Sequence, residues 1–439
     1  ALVFGTGILG SNPSAPAIFM NFLSKLFKQS RNTDYINLGF QKLSKETEVK
    51  KIFKAISEHS DVSEIRYVGG CVRKIINNEK VDDIDLAVNL KPDEVSEILK
   101  KNKIKYYETG IEHGTITATI NQNKFEITSL RKDIETDGRH AKIEYSNDWL
   151  EDASRRDFSI NAIYADIDGN LYDPFNGKKN IMNGEIHFVG EEEKRIKEDY
   201  LRVMRYIRFF LNYSKKKHNP NVLKAIKKNL NGISKISSER LLDEFKKLTQ
   251  SEGFTKLNED KFCLEIINLI FPQFKNMSIF KNVRKKDIDK LDFIIILSAL
   301  IIDLTDNTDY FLYKFKISNY DKKKILFLKK FFSQPINAKT FTEENLWKIL
   351  YFNGKQNLKD LFDYEILRSK KNKKKLLELS NFFKDQTPPK LPINAHYLMR
   401  EFNIPEGKEI GSKLKKIEDQ WINNNFKISN QEIQKLVLS

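Results

Sequence analysis

The chain has 439 residues, 40% of them hydrophobic, and a formal net charge of +16. That length exceeds a single compact core, so several domains are expected. No apolar run approaches the roughly 20 residues of a membrane-spanning helix, two cysteines (Cys71 and Cys263) cannot build a disulfide framework, and none of the six histidines pairs with a cysteine at zinc spacing.

In chain order, the first nineteen residues carry no charge and precede Met20. They lack the basic n-region and apolar core of a signal peptide. "EIRYVGG" reads as a strand ending in a turn, and "DDIDLAV" as a second strand by its alternation. "DEVSEILKKN" places its apolar residues at helical spacing. "GTITATIN" and "KFEITSL" are β-branched runs flanking Asn121–Asn123, the pattern of a hairpin. "KDIETDGRHAKIEYS" has no clear period and reads as a mobile loop. "FSINAIYADIDGNLYDPFNG" reads as a helix followed by a short hairpin turning at Asp168-Gly169. From about residue 191 the pattern is helical nearly to the end. Ser237 or Ser238 is a candidate helix cap, and Pro388, Pro389 and Pro392 mark a linker.

The basic balance attracts polyanions, nucleic acid above all. Lys, Asn and Ile also share A/T-rich codons, so genome bias is a competing account of the lysine content. The cysteine usage fits a reducing, cytosolic compartment.

Two short stretches carry chemistry. On a strand, side chains two apart face the same way, so Asp83 and Asp85 project together while Ile84 faces the core. Neighbouring carboxylates repel unless they share a cation. Mg2+ suits them, being oxygen-seeking and usually shared with substrate phosphates. Many surface strands carry such a pair, so by itself it decides little. Just upstream, Gly69-Gly70 lies between a strand and a predicted helix. Glycine lets backbone approach a phosphate, helix N-terminal amides favour anions, and Arg73 adds a charged fork one turn on.

Together, "GGCVRK" and "DDIDLAV" resemble the signature of the class II CCA-adding tRNA nucleotidyltransferase and poly(A) polymerase family, within the DNA polymerase β-like superfamily. Four further blocks resemble that family's motifs in the same order. They are "FEITSLRKDIETDGRHAKIEY", "DASRRDFSINAIY", "EDYLRVMRYIRF" and "SSERLLDEFKKL". The resemblance spans roughly residues 65–250. One departure is Lys74, where the family usually has an acid after the motif arginine.

The resemblance implies an α/β nucleotidyltransferase head, with a small mixed sheet and flanking helices, followed by an all-α neck, body and tail. The expected boundaries are 20–190 for the head, 191–255 for the neck, 256–385 for the body and 386–439 for the tail. Its partners would be tRNA, CTP and ATP, its cofactor Mg2+, and no membrane would be involved. Asp83 and Asp85 would be the catalytic, metal-holding acids. Gly70, Arg73 and Arg156 would bind the triphosphate, and Asp157 would accept a ribose 2′-hydroxyl proton. Asn161 reads as structural. Asp199 and Arg202, three apart on one predicted helix, would read the base. A carboxylate only accepts and a guanidinium only donates, which fits the edges of cytosine and adenine and not those of uracil and guanine. Arg205 and Arg208 would hold phosphate or orient Asp199. Glu126 resembles the third carboxylate of related polymerases. Arg131, Asp133 and the loop through Arg139 resemble the element linked to switching from C to A.

The C-terminal half says less. Lysine clusters near Ser214, Asp321 and Ser369 read either as solvated helix faces or as RNA-facing charge. "INAHYLMREFNIPEGKEIGSKLKKIEDQW" resembles the family's small C-terminal helical element; its Gly407 and Gly411 are either turn residues or close approaches to RNA. A bacterial poly(A) polymerase is the enzymatic alternative, with CC-only or A-only addition and a catalytically silent tRNA-binding protein as further readings. At the N-terminus, Gly10-Ser11-Asn12-Pro13 can be encoded by GGTTCGAATCC, which matches the T-arm of a tRNA gene. The expectation is that residues 1–19 translate such an upstream gene and that Met20 is the start, with an ordinary disordered tail as the alternative. Mass spectrometry of the native protein checks this: a first peptide beginning at Met20 is expected, and peptides from before it overturn the reading.

Overall fold

The computed structural model describes residues 35–136, 141–303, 305–332, 341–369 and 372–438. Residues 1–19 and Arg139 therefore lie outside the described residues. The chain divides into two compact units, with the boundary between Ile236 and Ser237.

The first unit opens with helices α1 (35–47) and α2 (Lys50–Ser57). Then follow β1 (Ile65–Val68), α3 (Gly70–Ile76), β2 (Ile84–Val88), α4 (Pro92–Lys101), β3 (Lys105–Gly110), β4 (Thr115–Ile120) and β5 (Asn123–Ser129). A hairpin, β6 (Arg131–Thr136) and β7 (Ala141–Tyr145), precedes α5 (Trp149–Ser154). The unit closes with β8 (Tyr164–Ala165), β9 (Leu171–Tyr172), α6 (Gly177–Asn183), α7 (Glu192–Glu198), α8 (Leu201–Tyr213) and α9 (Pro220–Asn229). Seven strands form one sheet in the order β3-β4-β5-β2-β1-β8-β9. Most neighbours are antiparallel, but β2 and β5 run parallel, with α4, β3 and β4 in the crossover. The sheet is therefore mixed, as the family resemblance implies.

The alternation in β2 has the expected result. Ile84, Leu86 and Val88 are buried, which turns Asp85 to the other face. The β4–β5 pairing ends at Ile120 and Asn123, and Asn121 takes a positive φ of 55° in the turn between them. Three segments differ from the sequence reading. Segment 131–145, which lacks an obvious period, pairs as the β6–β7 hairpin. Ser159–Asn161 is a single 3-10 turn and not a full helix. The predicted helix through residues 191–213 breaks at Asp199-Tyr200, where Asp199 is extended (φ −151°, ψ 105°).

The second unit is all helical, from α10 (Ser238–Gln250) through α11 (Lys261–Ile270), α12 (Lys285–Ile288), α13 (Phe293–Ile301), α14 (Asn307–Lys314), α15 (Asn319–Phe332), α16 (Glu343–Arg368) and α17 (Lys373–Lys384) to α18 (Ala395–Phe402), α19 (Lys408–Asn423) and α20 (Asn430–Leu438). Ser237 caps α10 by accepting the Arg240 amide at 3.4 Å. Residues 294–301 of α13 are all buried, so that helix is a central rod. The last three helices share a separate apolar cluster built on Leu398, Ile417 and Ile433. The proline-rich linker before it is not helical. Helices α7 to α9 fall in the first unit and α10 in the second, so the unit boundary cuts the expected neck. Among the described residues, no helix is long and apolar enough to cross a membrane.

One close approach fixes the turn that carries Asn161. A Cβ on Gly177 would lie 2.2 Å from the Ser159 carbonyl and 2.7 Å from the Ile163 side chain. The first obstacle is backbone and cannot rotate away. Gly177→Ala is therefore expected to cost about 1–3 kcal/mol of stability. Thermal unfolding checks this; an unchanged midpoint would show that the turn yields freely.

Candidate active site

The site begins at the β1–α3 junction. Gly69 caps α3 with φ +69°, a backbone conformation that L side chains rarely adopt. The space a Cβ would take there is 3.6 Å from Arg156 Nη1 and 3.9 Å from Asp85 Oδ2. At Gly70 it is 3.9 Å from both Arg73 Nη2 and Asp85 Oδ2. The glycine turn, two arginines and one strand acid thus meet in one place.

Asp83 lies just before β2 and is exposed; Asp85, inside the strand, is half-buried. In the parallel pairing, Asp85 stands opposite Glu126 of β5. Burial, the Glu126 carboxylate and Asp83 together push the Asp85 carboxyl up to about 6, against the pull of Arg156 and Arg73. Asp85 is therefore held beside negative charge that the protein does not fully neutralise. Hard carboxylate oxygens with excess negative charge fit a divalent cation. Glu126 belongs in this group by register, which its sequence neighbours do not reveal.

Arg156 is set by Asp152, which the sequence reading did not assign. The Asp152 carboxylate is buried and accepts from Arg156 Nη2 (3.0 Å), Arg155 Nε (2.8 Å) and the Tyr164 hydroxyl (2.6 Å). Burial alone would raise its pKa, but the two guanidiniums and the hydroxyl hold it well below the usual range. The signal was present in the sequence, since Arg155 and Arg156 lie three and four residues after Asp152 on one helix end.

Asp157, the expected ribose acceptor, is engaged within the protein. Its Oδ1 accepts from the Phe158 amide and from Asn161 Nδ2, both at 2.9 Å. Its Oδ2 accepts Arg205 Nε and Nη2, both at 2.6 Å. Three donors and the Arg205 ion pair thus surround the carboxylate in this arrangement. Burial opposes ionisation, yet Arg205 and Asn161 bring the pKa down to about 2. Arg73 is also enclosed. Its Nη1 donates to Asn161 Oδ1, and its guanidinium stacks 4.9 Å from the Phe209 ring and 5.1 Å from the Tyr213 ring.

The proposed base readers are not a matched pair on one helix. Asp199 sits in the break between α7 and α8, its Oδ1 accepting the amide of Leu201, the first residue of α8, at 3.1 Å. Arg202 is buried and donates to Glu198 Oε2 (2.9 Å), the Arg195 carbonyl (2.8 Å) and the Arg155 carbonyl (3.3 Å). Three of its five N–H donors are thus engaged, leaving Nε–H and one Nη2–H for another partner. Glu198 and Arg195 are further residues that the sequence reading did not assign. Arg208 lies 4.2 Å from the Phe209 ring. Lys74, the departure from the family pattern, pairs with Asp82. In the β6–β7 hairpin, Arg131 Nη1 donates to the His113 carbonyl.

A family profile described as "Poly A polymerase head domain" matches residues 65–187, which contain every strand of the sheet. A second, described as tRNA nucleotidyltransferase domain 2, matches residues 293–437. Among solved structures, the Bacillus stearothermophilus CCA-adding enzyme in complex with CTP is similar in fold, at 21% identity and a TM-score of 0.65, over 88% of this chain and 95% of that one. The Thermotoga maritima CCA-adding enzyme complexed with tRNA gives 18% identity and a TM-score of 0.58, over 89% and 94%. Fold and site define a nucleotidyltransferase. The human CCA tRNA nucleotidyltransferase 1, mitochondrial, is 32% identical over 376 residues, which cover 84% of this chain and 85% of the human protein. The CCA-adding enzyme of Lactobacillus johnsonii is 28% identical over 361 residues, covering 81% and 88%. The chain belongs to the CCA tRNA nucleotidyltransferase family.

The raised Asp85 pKa has a stability consequence. A folded pKa of about 6 exceeds the unfolded value of 3.8, so the native state binds more protons between them. Without metal, stability therefore falls as pH rises from about 4 to 6 and stays reduced above that. Asp85→Asn removes the charge, and metal-free protein at pH 7 is expected to gain about 1–2 kcal/mol. Mg2+ should raise the melting temperature of the original protein and not that of the variant. Equal metal responses would separate Asp85 from cation binding.

Proposed function

We propose that the chain adds C, C and A to the 3′ end of tRNA from CTP and ATP, releasing pyrophosphate. The observation that carries this is the meeting of Gly69-Gly70, Arg156, Arg73 and Asp85 within 4 Å of the turn's Cβ positions. That space suits a triphosphate brought to strand acids. The family's relatives, with matching names over most of their length, support the same reading.

The glycine turn admits the phosphates, and Arg156, held by Asp152, gives them charge-assisted donors. Asp83, Asp85 and Glu126 would hold Mg2+, which when bound supplies charge neutralisation at the α-phosphate and the departing pyrophosphate. The tRNA 3′ oxygen forms its bond to the α-phosphorus as the bond to the bridging pyrophosphate oxygen breaks. Asp199 accepts the amino group of cytosine or adenine, and the two open donors of Arg202 take the ring acceptor. Arg205 and Asp157 set the helix that carries both, and Arg208 adds positive charge along it. Catalysis is then positioning plus electrostatics. We assign the neck to residues 191–255 and tRNA binding to the body and tail beyond it. The cysteine usage favours the cytosol, and fractionation separates this from the mitochondrial location in the vertebrate relatives' names.

Incubating the protein with tRNA lacking its end, Mg2+ and each nucleotide tests the reading. Two C additions, then one A, then arrest are expected. An unlimited A tail would favour a poly(A) polymerase, and arrest after CC a partial enzyme. Asp83→Ala is expected to slow addition by about 100-fold or more while leaving the fold intact.

A further inference from the structure

Asn161 has a position that the nucleotide-transfer reading does not use. Its side chain is buried between two charged groups, and both of its polar ends are engaged. Oδ1 accepts Arg73 from α3, and Nδ2 donates to Asp157 at 2.9 Å. Asp157 in turn grips Arg205 on α8 through two nitrogens at 2.6 Å. A line of hydrogen bonds therefore runs from the helix of the glycine turn to α8, which follows Asp199 directly. An amide meets both demands at once, an acceptor on one side and a donor on the other.

Two more observations show that the link joins functional parts. Arg73 reaches α8 a second way, lying 4.9 Å and 5.1 Å from the rings of Phe209 and Tyr213. Its Nε is buried without a hydrogen-bond partner among the described residues. An unmet buried donor is unfavourable, so Arg73 is not placed for the unliganded fold alone. Its Nη2 is 3.9 Å from the Cβ position of Gly70, facing the turn.

We propose that Asn161 is a positioning residue that fixes the base-reading helix α8 at a set distance from the phosphate-holding turn, and so governs the choice of base. The inference rests on the proposed nucleotide site. Selecting a base needs Asp199 and Arg202 to meet the edge of a nucleotide whose phosphates are already anchored. A displacement of a few tenths of an ångström at α8 is enough to misalign those hydrogen bonds. Losing the bridge therefore weakens the correct nucleotide more than the wrong one, which lacks the matched bonds from the start.

Calorimetric binding of CTP and UTP tests this without requiring turnover, with addition to tRNA measured in parallel. Asn161→Ala is expected to weaken CTP about tenfold, the equivalent of about 1.4 kcal/mol, with UTP little changed, so that the preference narrows. Asn161→Asp should do the same, because it loses the donated bond and sets a second carboxylate against Asp157. Arg205→Lys tests the half-exposed end of the line should either fail to fold; it keeps the charge but loses the fork. The control is Asn180→Ala, which removes a 2.8 Å bond to Ser159 in the same turn but lies outside the line. It should lower the melting temperature and leave the CTP preference intact. An unchanged preference in Asn161→Ala, or an equal loss in Asn180→Ala, overturns the proposal. A parent protein that prefers CTP but adds nothing to tRNA would sink the activity and not the bridge.

Discussion

The head depends on keeping arginines together before any phosphate arrives. Arg73, Arg155, Arg156, Arg195, Arg202 and Arg205 all contact the short stretch from Asp152 to Asn161. Arg202 does so through the Arg155 carbonyl, and Arg195 through the carbonyls of Arg155 and Arg156. Six guanidiniums in partly dry surroundings would repel strongly. Asp152, Asp157 and Glu198 offset that repulsion, with backbone carbonyls taking some further donors. The basic site is thus assembled by buried acids and not only by its future ligand. Truncating either buried aspartate would leave arginines unpaired, a more damaging change than deleting an exposed charge.

The same residue type is put to opposite uses a few ångströms apart. Asp152 and Asp157 are buried yet held ionised by their arginines, Asp157 down to about 2. Asp85 is pushed up to about 6, chiefly by burial and then by Glu126 and Asp83, against the pull of Arg156 and Arg73. The first two are compensated and rigid. The third keeps negative charge unbalanced, which suits a cation that comes and goes with each nucleotide. Lowering the pH through the acid range removes the support of Asp157, whose stabilisation is full above 3.8 and lost towards about 2. The two kinds of carboxylate therefore respond to pH in opposite senses.

What the sequence made legible was local. Alternation placed Ile84 inside and Asp85 outside, and the glycine pair marked the strand-to-helix turn. Asn121 and Gly169 marked their hairpin turns through positive φ. What stayed hidden depends on contacts far apart in the chain. The opposition of Asp85 and Glu126 comes from a parallel pairing across an intervening hairpin, and no periodicity encodes it. The bond from Arg73 to Asn161 spans 88 residues. Asp157 looked like a free acceptor because its partner Arg205 lies 48 residues on. The break at Asp199 was obscured because the residues on both sides are good helix formers. Its cause is local all the same, since an aspartate carboxylate competes for the first amides of α8.

Lys74 shows how a departure from a family pattern can be absorbed. Asp83 precedes the first regular residue of β2, so the strand ladder does not hold it. The neighbouring Asp82 carboxylate accepts the Asp83 amide at 3.1 Å and also receives the Lys74 ammonium from α3. Burial opposes the charge on Asp82, but Lys74 and these amides leave its pKa below the ordinary value. Replacing the usual acid with lysine thus leaves the region an ion pair, with the base on the helix and the acid on the approach to the strand. Asp82 is 66% exposed, so the pair adds little to global stability. Its consequence is directional: it ties the residue before Asp83 to the helix of the glycine turn. Asp83 and the glycine turn are then oriented by one local linkage, and the unusual residue at position 74 is part of it.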